Sequence, residues 1–204
     1  MAHGWQLCAS REISETLISD FIRPAVHSVP PRMARQLRCC RVSVVEDLGS
    51  PSVASRWTAT GLGLEISLAT AGRESHDIAL ELLLCLGQAL WEELSHSQRK
   101  AYWLLLDDEI GAGTPGEIDE DALKQKRLLL SNCSSAGSSR RLERYGSASF
   151  AGTAAEYVHC LWHDVTVRTG PAFLPVRQLR RRLELLARWY PAGRGHRLFP
   201  RGER

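Results

Sequence analysis

The sequence predicts an α+β fold in which a small antiparallel sheet packs against a mainly helical body. Three short runs, residues 41–46, 54–60 and 62–68, alternate apolar or β-branched with polar residues, and a Gly-Ser-Pro-Ser stretch, Gly61 and Gly63 separate them. Directly after them, residues 76–94 are apolar around most of a helical circumference, as a largely buried helix must be. The remaining chain carries apolar residues at steps of three and four, the period of helices that bury one face. With 204 residues, 44% hydrophobic and 24% charged, there is enough apolar surface for one real core, which excludes disordered and fibrous classes.

Taken in order, Ile13, Leu17, Ile18 and Phe21 form the apolar stripe of a first helix, residues 10–22, which Ser10 caps and Pro24 is expected to close. Pro30 and Pro31 open a short basic helix reaching Leu37. After the three strands, Ser75 or Asp77 caps the long helix, so neither His76 nor Asp77 needs a chemical role. A helix over 97–106 leads through an acidic turn region, 107–121, to a helix over 119–131, with Thr114-Pro115-Gly-Glu117 as an alternative start. The run SNCSSAGSS at 131–139 reads as a surface loop. A helix over 149–165, a Gly170-Pro171 turn and an arginine-rich helix over 175–189, stopped by Pro191 and Gly193, complete the chain. The expected organisation is an α+β domain over 1–165, with a basic helix and tail, 166–204, packed on the same domain.

Charge is unevenly spread. The whole chain carries +3, but residues 166–204 hold ten Arg against Glu184 and Glu203, a net of +8 that leaves −5 for the rest. Arg177, Arg180, Arg181 and Arg182 surround an apolar stripe of Leu179, Leu183, Leu186 and Trp189. They face the acidic body of the same molecule or else an anion; nucleic acid is the less favoured partner, because no nucleic-acid-binding motif accompanies them. No stretch is long and apolar enough to cross a membrane, and no export signal is visible, so a cytoplasmic location without a membrane partner is expected. The six cysteines are scattered without a CxxC pair, which fits free thiols in a reducing compartment.

Two constellations carry chemistry. Glu156, His159 and His163 recur at steps of three and four, so one helix face presents two imidazoles and a carboxylate, with Cys160 and Asp164 beside them; zinc or iron would suit that set. The opposing reading puts these residues in water, opposite the stripe Ala155, Val158, Leu161, Trp162 and Val165. On the long helix Glu81, Cys85, Gln88 and Glu92 form a polar stripe that is either the wall of a cleft or the solvated face of a core helix. His159-Cys-Leu-Trp-His163 has the histidine spacing of HExxH, but Cys160 stands where the general base belongs. The glycines of 111–116 satisfy GxGxxG without the strand-turn-helix context that a nucleotide site needs, and no GxSxG elbow marks a serine nucleophile. Cys85 and Cys160 are expected to be buried structural thiols rather than nucleophiles.

The order of sheet, long apolar helix and later Glu-bearing helix, spanning residues 41–165, resembles the small gluzincin-type metallopeptidases of the zincin fold. Their central helix reads like HELGHAL before an aromatic or hydrophobic residue; here the corresponding stretch is Leu84-Cys-Leu-Gly-Gln-Ala-Leu90 followed by Trp91. The resemblance places Leu84 and Gln88 at the two metal-histidine positions and Cys85 at the catalytic glutamate, while Gly87, Ala89 and Leu90 agree with the pattern. Glu156, in Glu-Tyr-Val-His159, is similar to the family's third ligand. It implies a cleft between the Gln88 helix and the Glu156 helix, with His159 or His163 in polar roles and without the water-activating chemistry.

The leading expectation is therefore a non-catalytic zincin-like domain with no cofactor, retaining a cleft for an unidentified protein or peptide, with Glu81, Cys85, Gln88, Glu156, His159 and His163 as cleft residues. The alternatives are a metal-dependent hydrolase or metal-binding protein using Glu156, His159 and His163, and an anion-binding module using the C-terminal arginines.

Overall fold

The computed structural model describes residues 1–61, 63–131, 138–163, 170–193 and 198. It is α+β, as predicted, but the sheet is mixed rather than antiparallel and has a fourth strand. In the order β1-β2-β4-β3, β1 (Gln6–Ala9) runs parallel to β2 (Cys40–Val45), β2 parallel to β4 (Gly63–Ala69), and β3 (Ser55–Thr60) antiparallel to β4 at one edge. The segment between β2 and β3 carries the chain past the place β4 will fill, and the β3–β4 hairpin then turns back into it. Val42 and Val44 pair with Ile66 and Leu68 and are buried, so the alternation read in the sequence does set the inner face. Leu62, predicted to open the last strand, lies outside the described residues.

The first helix departs from expectation at Pro24. A π-helical turn, Leu17–Ile22, runs directly into α1 (Arg23–Ser28), and Pro24 sits inside this continuous helix instead of ending it. Proline lacks an N–H and its ring crowds the carbonyl four residues back; widening the preceding turn, with Arg23 N–H donating to the Ile18 carbonyl, accommodates both. Helix α2 (Pro31–Leu37) begins on proline as expected.

The core is built on α3 (Ser75–Glu92) and α6 (Ser138–Trp162), which pack against each other more extensively than any other pair of elements. Gly87 makes this possible: a Cβ there would stand 2.7 Å from the Ala151 carbonyl oxygen and 2.8 Å from the Ala151 Cα, so the backbones nearly touch. Helix α6 begins eleven residues before its predicted start and is buried almost all round from Tyr145 to Leu161. This corrects the reading of its polar residues as a solvated face for His159, only 8% exposed, and in part for Glu156, whereas His163 is exposed as that reading has it. Helix α4 (His96–Gly111) starts with a capping box in which Ser95 and Gln98 bond each other's backbone, and it extends through Asp107–Glu109, part of the predicted acidic turn.

Helix α5 (Glu120–Leu130) is capped by Asp119, whose Oδ1 accepts from Ala122 N–H at 3.0 Å. Its Oδ2 is buried towards Gly152 of α6 and takes no hydrogen bond among the described residues. Burial, only partly offset by backbone hydrogen bonds, pushes this carboxyl up to about 6. The folded state therefore holds the proton more tightly than the unfolded chain. The resulting stabilisation is complete below the unfolded value near 3.8 and is lost as pH rises through about 6. Across that window the wild type should lose about 1–3 kcal/mol relative to Asp119→Asn, read from urea unfolding of both proteins at pH 4 and pH 7. Parallel pH dependences of the two would refute it.

Helix α7 (Val176–Trp189) docks on the body through Leu183, Leu185 and Leu186. No helix among the described residues is long and apolar enough to cross a membrane.

Candidate binding groove and histidine cluster

The polar stripe of α3 lies against the edge strand. Ser55 Oγ donates to Glu81 Oε2 at 2.7 Å, and Trp57 Nε1 donates to Gln88 Oε1 at 2.7 Å. Cys85 is buried between these contacts, and burial lifts its thiol to about 11, so no thiolate exists there at neutral pH. Glu81 and Gln88 are half-buried and only Glu92 is exposed, so β3 covers part of what read as a solvated face.

On the far side of Gln88 a groove of about 510 Å³ opens between α3, α5 and α6. Gln88 and Trp91 line it from α3, Gln125 from α5, and Arg144 and Ser147 from α6. Glu143, also on its wall, is held by Trp91 Nε1 at 2.9 Å and by Arg99 at 3.1 Å. The opposite wall is thus the first half of α6. Glu156 lies nine residues beyond Ser147, about 13 Å along the helix axis, and does not line this groove. Gln88 and Glu156 are separated because α3 and α6 run antiparallel, which brings Gly87 to Ala151 and His76 to His159.

The second half of α6 gathers imidazoles. His159 Nε2 lies 3.1 Å from His76 Nε2, at the start of α3, with the rings crossed at 75°. The His163 ring centre is 5.5 Å from that of His159 and 5.9 Å from that of His76. Trp162 packs on the cluster, 4.3 Å from His163. Glu156 Oε2 stands 3.9 Å from His159 Nδ1, and Cys160 Sγ donates to Glu156 Oε1 at 3.5 Å. Burial, reinforced by the Glu156 charge, raises the Cys160 thiol far above its ordinary range, which leaves it a structural group. The sequence-predicted trio Glu156, His159 and His163 is therefore brought together, and His76 joins it from 83 residues away, where no local pattern could reveal it. As the side chains stand, no group of three His, Cys, Asp or Glu among the described residues is arranged to hold a metal ion. Asp164 and Val165 lie outside the described residues.

The chain matches no protein-family model, no curated protein and no solved structure.

Of the predicted anion-binding arginines, Arg182 is fully buried and engages Glu109 and Glu117, the latter from Nη1 at 2.8 Å. Arg181 pairs with Asp108 at 2.8 Å and Arg180 with Glu184 at 2.9 Å. Arg177 is exposed. The correction has a simple cause: Arg182 lies three residues after Leu179 and four before Leu186, on the face that docks, so its charge is spent inside the molecule.

Proposed function

We propose that this chain is a zincin-like domain without peptidase chemistry that binds an extended peptide segment in the groove floored by Gln88. The supporting observation is the groove itself, of ligand size and lined by Gln88, Gln125, Glu143 and Arg144, with Gln88 fixed from its other side by Trp57. The Gln88 and Gln125 amides offer donors and acceptors to an extended chain, and the mixed charges of Arg144, Glu143 and Glu92 can select its side chains.

The zinc that such a fold implies does not fit here. Leu84 has no donor atom, Gln88 offers an amide already engaged by Trp57, and Cys85 is a neutral thiol. No catalytic step is assigned to this site.

The test is selection of displayed random peptides on the intact chain, followed by fluorescence anisotropy with the selected sequences. Arg144→Glu and Gln88→Ala should each weaken binding about tenfold or more, and mass spectrometry should recover the peptides uncut. Failure to select any peptide, or affinity unchanged from wild type in both variants, would overturn the binding reading. Cleavage that disappears in Gln88→Ala would overturn the absence of chemistry.

A further inference from the structure

We infer that His76, His159 and His163 form a binding site for one late first-row divalent cation, zinc being the one expected, separate from the Gln88 groove. Imidazole is a favoured ligand of zinc, copper and nickel. Two ring nitrogens on one tetrahedral zinc, each about 2.0–2.1 Å from the metal, lie about 3.4 Å apart. The two Nε2 atoms of His76 and His159 are already 3.1 Å apart, from two different helices, so most of the entropic cost of bringing them together is met by the packing of α3 on α6.

Each ring has a carboxylate near its opposite edge, at a distance beyond hydrogen-bond length. His76 Nδ1 faces Asp77 Oδ1 at 3.9 Å and His159 Nδ1 faces Glu156 Oε2 at 3.9 Å. Metal-bound histidines characteristically donate a hydrogen bond from their second nitrogen, and on metal binding these carboxylates would have to close by about 1 Å to accept it. Glu156 thus moves from the predicted ligand set to an outer role, and His76 takes its place.

His163 is one helical turn beyond His159 and exposed, and a rotation about its side-chain bonds, giving up its packing on Trp162, would bring its ring to the metal. Three neutral imidazoles would leave a fourth position to water, on the open side where His76 is 37% exposed.

The same 3.1 Å would equally suit a hydrogen bond between two neutral rings, and the experiment separates the two cases. The tag-free full chain is dialysed with zinc and then metal-free buffer, its metal content measured, and cobalt(II) titrated as a spectroscopic probe of ligand geometry. Wild type should retain one zinc per chain and give visible cobalt bands of tetrahedral intensity. His76→Ala and His163→Ala, both at accessible positions, should keep the helical circular dichroism of wild type and lose at least tenfold in zinc affinity, whereas His27→Ala and Gln88→Ala should lose none. An absence of zinc in wild type, or affinity unchanged in both His76→Ala and His163→Ala, would leave only a hydrogen-bonded pair and overturn the site. Peptide binding at Gln88 is read in a separate assay, so either proposal can fail without the other.

Discussion

Arg182→Met is expected to lower folding stability by about 3–5 kcal/mol, because it removes the cation that faces the buried Glu109 carboxylate and the main partner of the buried Glu117, rather than one exposed contact. The Arg182 guanidinium is fully buried, holds Glu109 of α4 through Nε and Nη2, reaches Glu117 in the segment before α5, and donates to Ser149 of α6 at 2.8 Å. Tyr145 donates to Glu117 at 2.6 Å, and the buried Lys126 ammonium lies 3.4 Å away. One side chain of α7 therefore joins three other parts of the helical body. Burial alone would push Glu117 up, but the Arg182 charge and hydrogen bonds, with those of Tyr145 and Lys126, hold it below its ordinary value. The stabilisation from this carboxylate is present above its unfolded value near 4.5 and is lost as pH falls through the lower folded one. At pH 7 the variant should melt about 10 °C or more below wild type, and its acid sensitivity should be blunted because Glu117 has lost its main partner. Adding Glu109→Gln to Arg182→Met should recover part of the loss by removing one stranded charge. A loss below about 1 kcal/mol, the scale of an exposed ion pair, would show that the network is solvated in solution.

The contrast between Arg182 and its neighbours shows what the sequence could convey. Its place between Leu179 and Leu186 was readable as an inward position, but the arginine-rich run around it drew it into a surface reading, and its partners Glu109 and Glu117 lie 73 and 65 residues away. The inner faces of β2 and β4 were legible because period-two alternation depends on one buried side. Strand direction was not, since alternation is the same for parallel and antiparallel neighbours. β1 was missed for a related reason: four residues with three exposed carry no alternation to read. The first half of α6 falls between the serine-rich run at 131–139 and the helix expected over 149–165, where Arg140, Arg141, Glu143 and Arg144 suit a helix but interrupt the apolar stripe that would have marked one. In the candidate site, the i, i+4 spacing revealed His159 and His163, whereas His76 and Trp57 enter through tertiary packing that no local period encodes.

Gly87→Val is expected to lose about 3 kcal/mol, against the direction that helix propensity alone would set. In an open helix, replacing glycine relieves backbone entropy; Gly111, at the end of α4 with nothing within 4 Å of its absent Cβ, is such a place, and Gly111→Ala should be neutral or stabilising by up to about 1 kcal/mol. At Gly87 the obstacle is backbone, the Ala151 carbonyl and Cα, which cannot rotate aside as a side-chain tip would. The only relief is to move α3 away from α6. That separation would loosen the packing of Leu83, Leu86, Leu90 and Phe150 and would draw His76 from His159. The variant therefore has two readouts: its urea midpoint, which falls if the close approach exists, and its zinc affinity, which falls with it if the imidazole pair depends on that approach. Equal stability of Gly87→Val and Gly111→Ala would mean that the two helices are not in backbone contact, and the placement of both the groove and the histidine cluster would have to be redrawn.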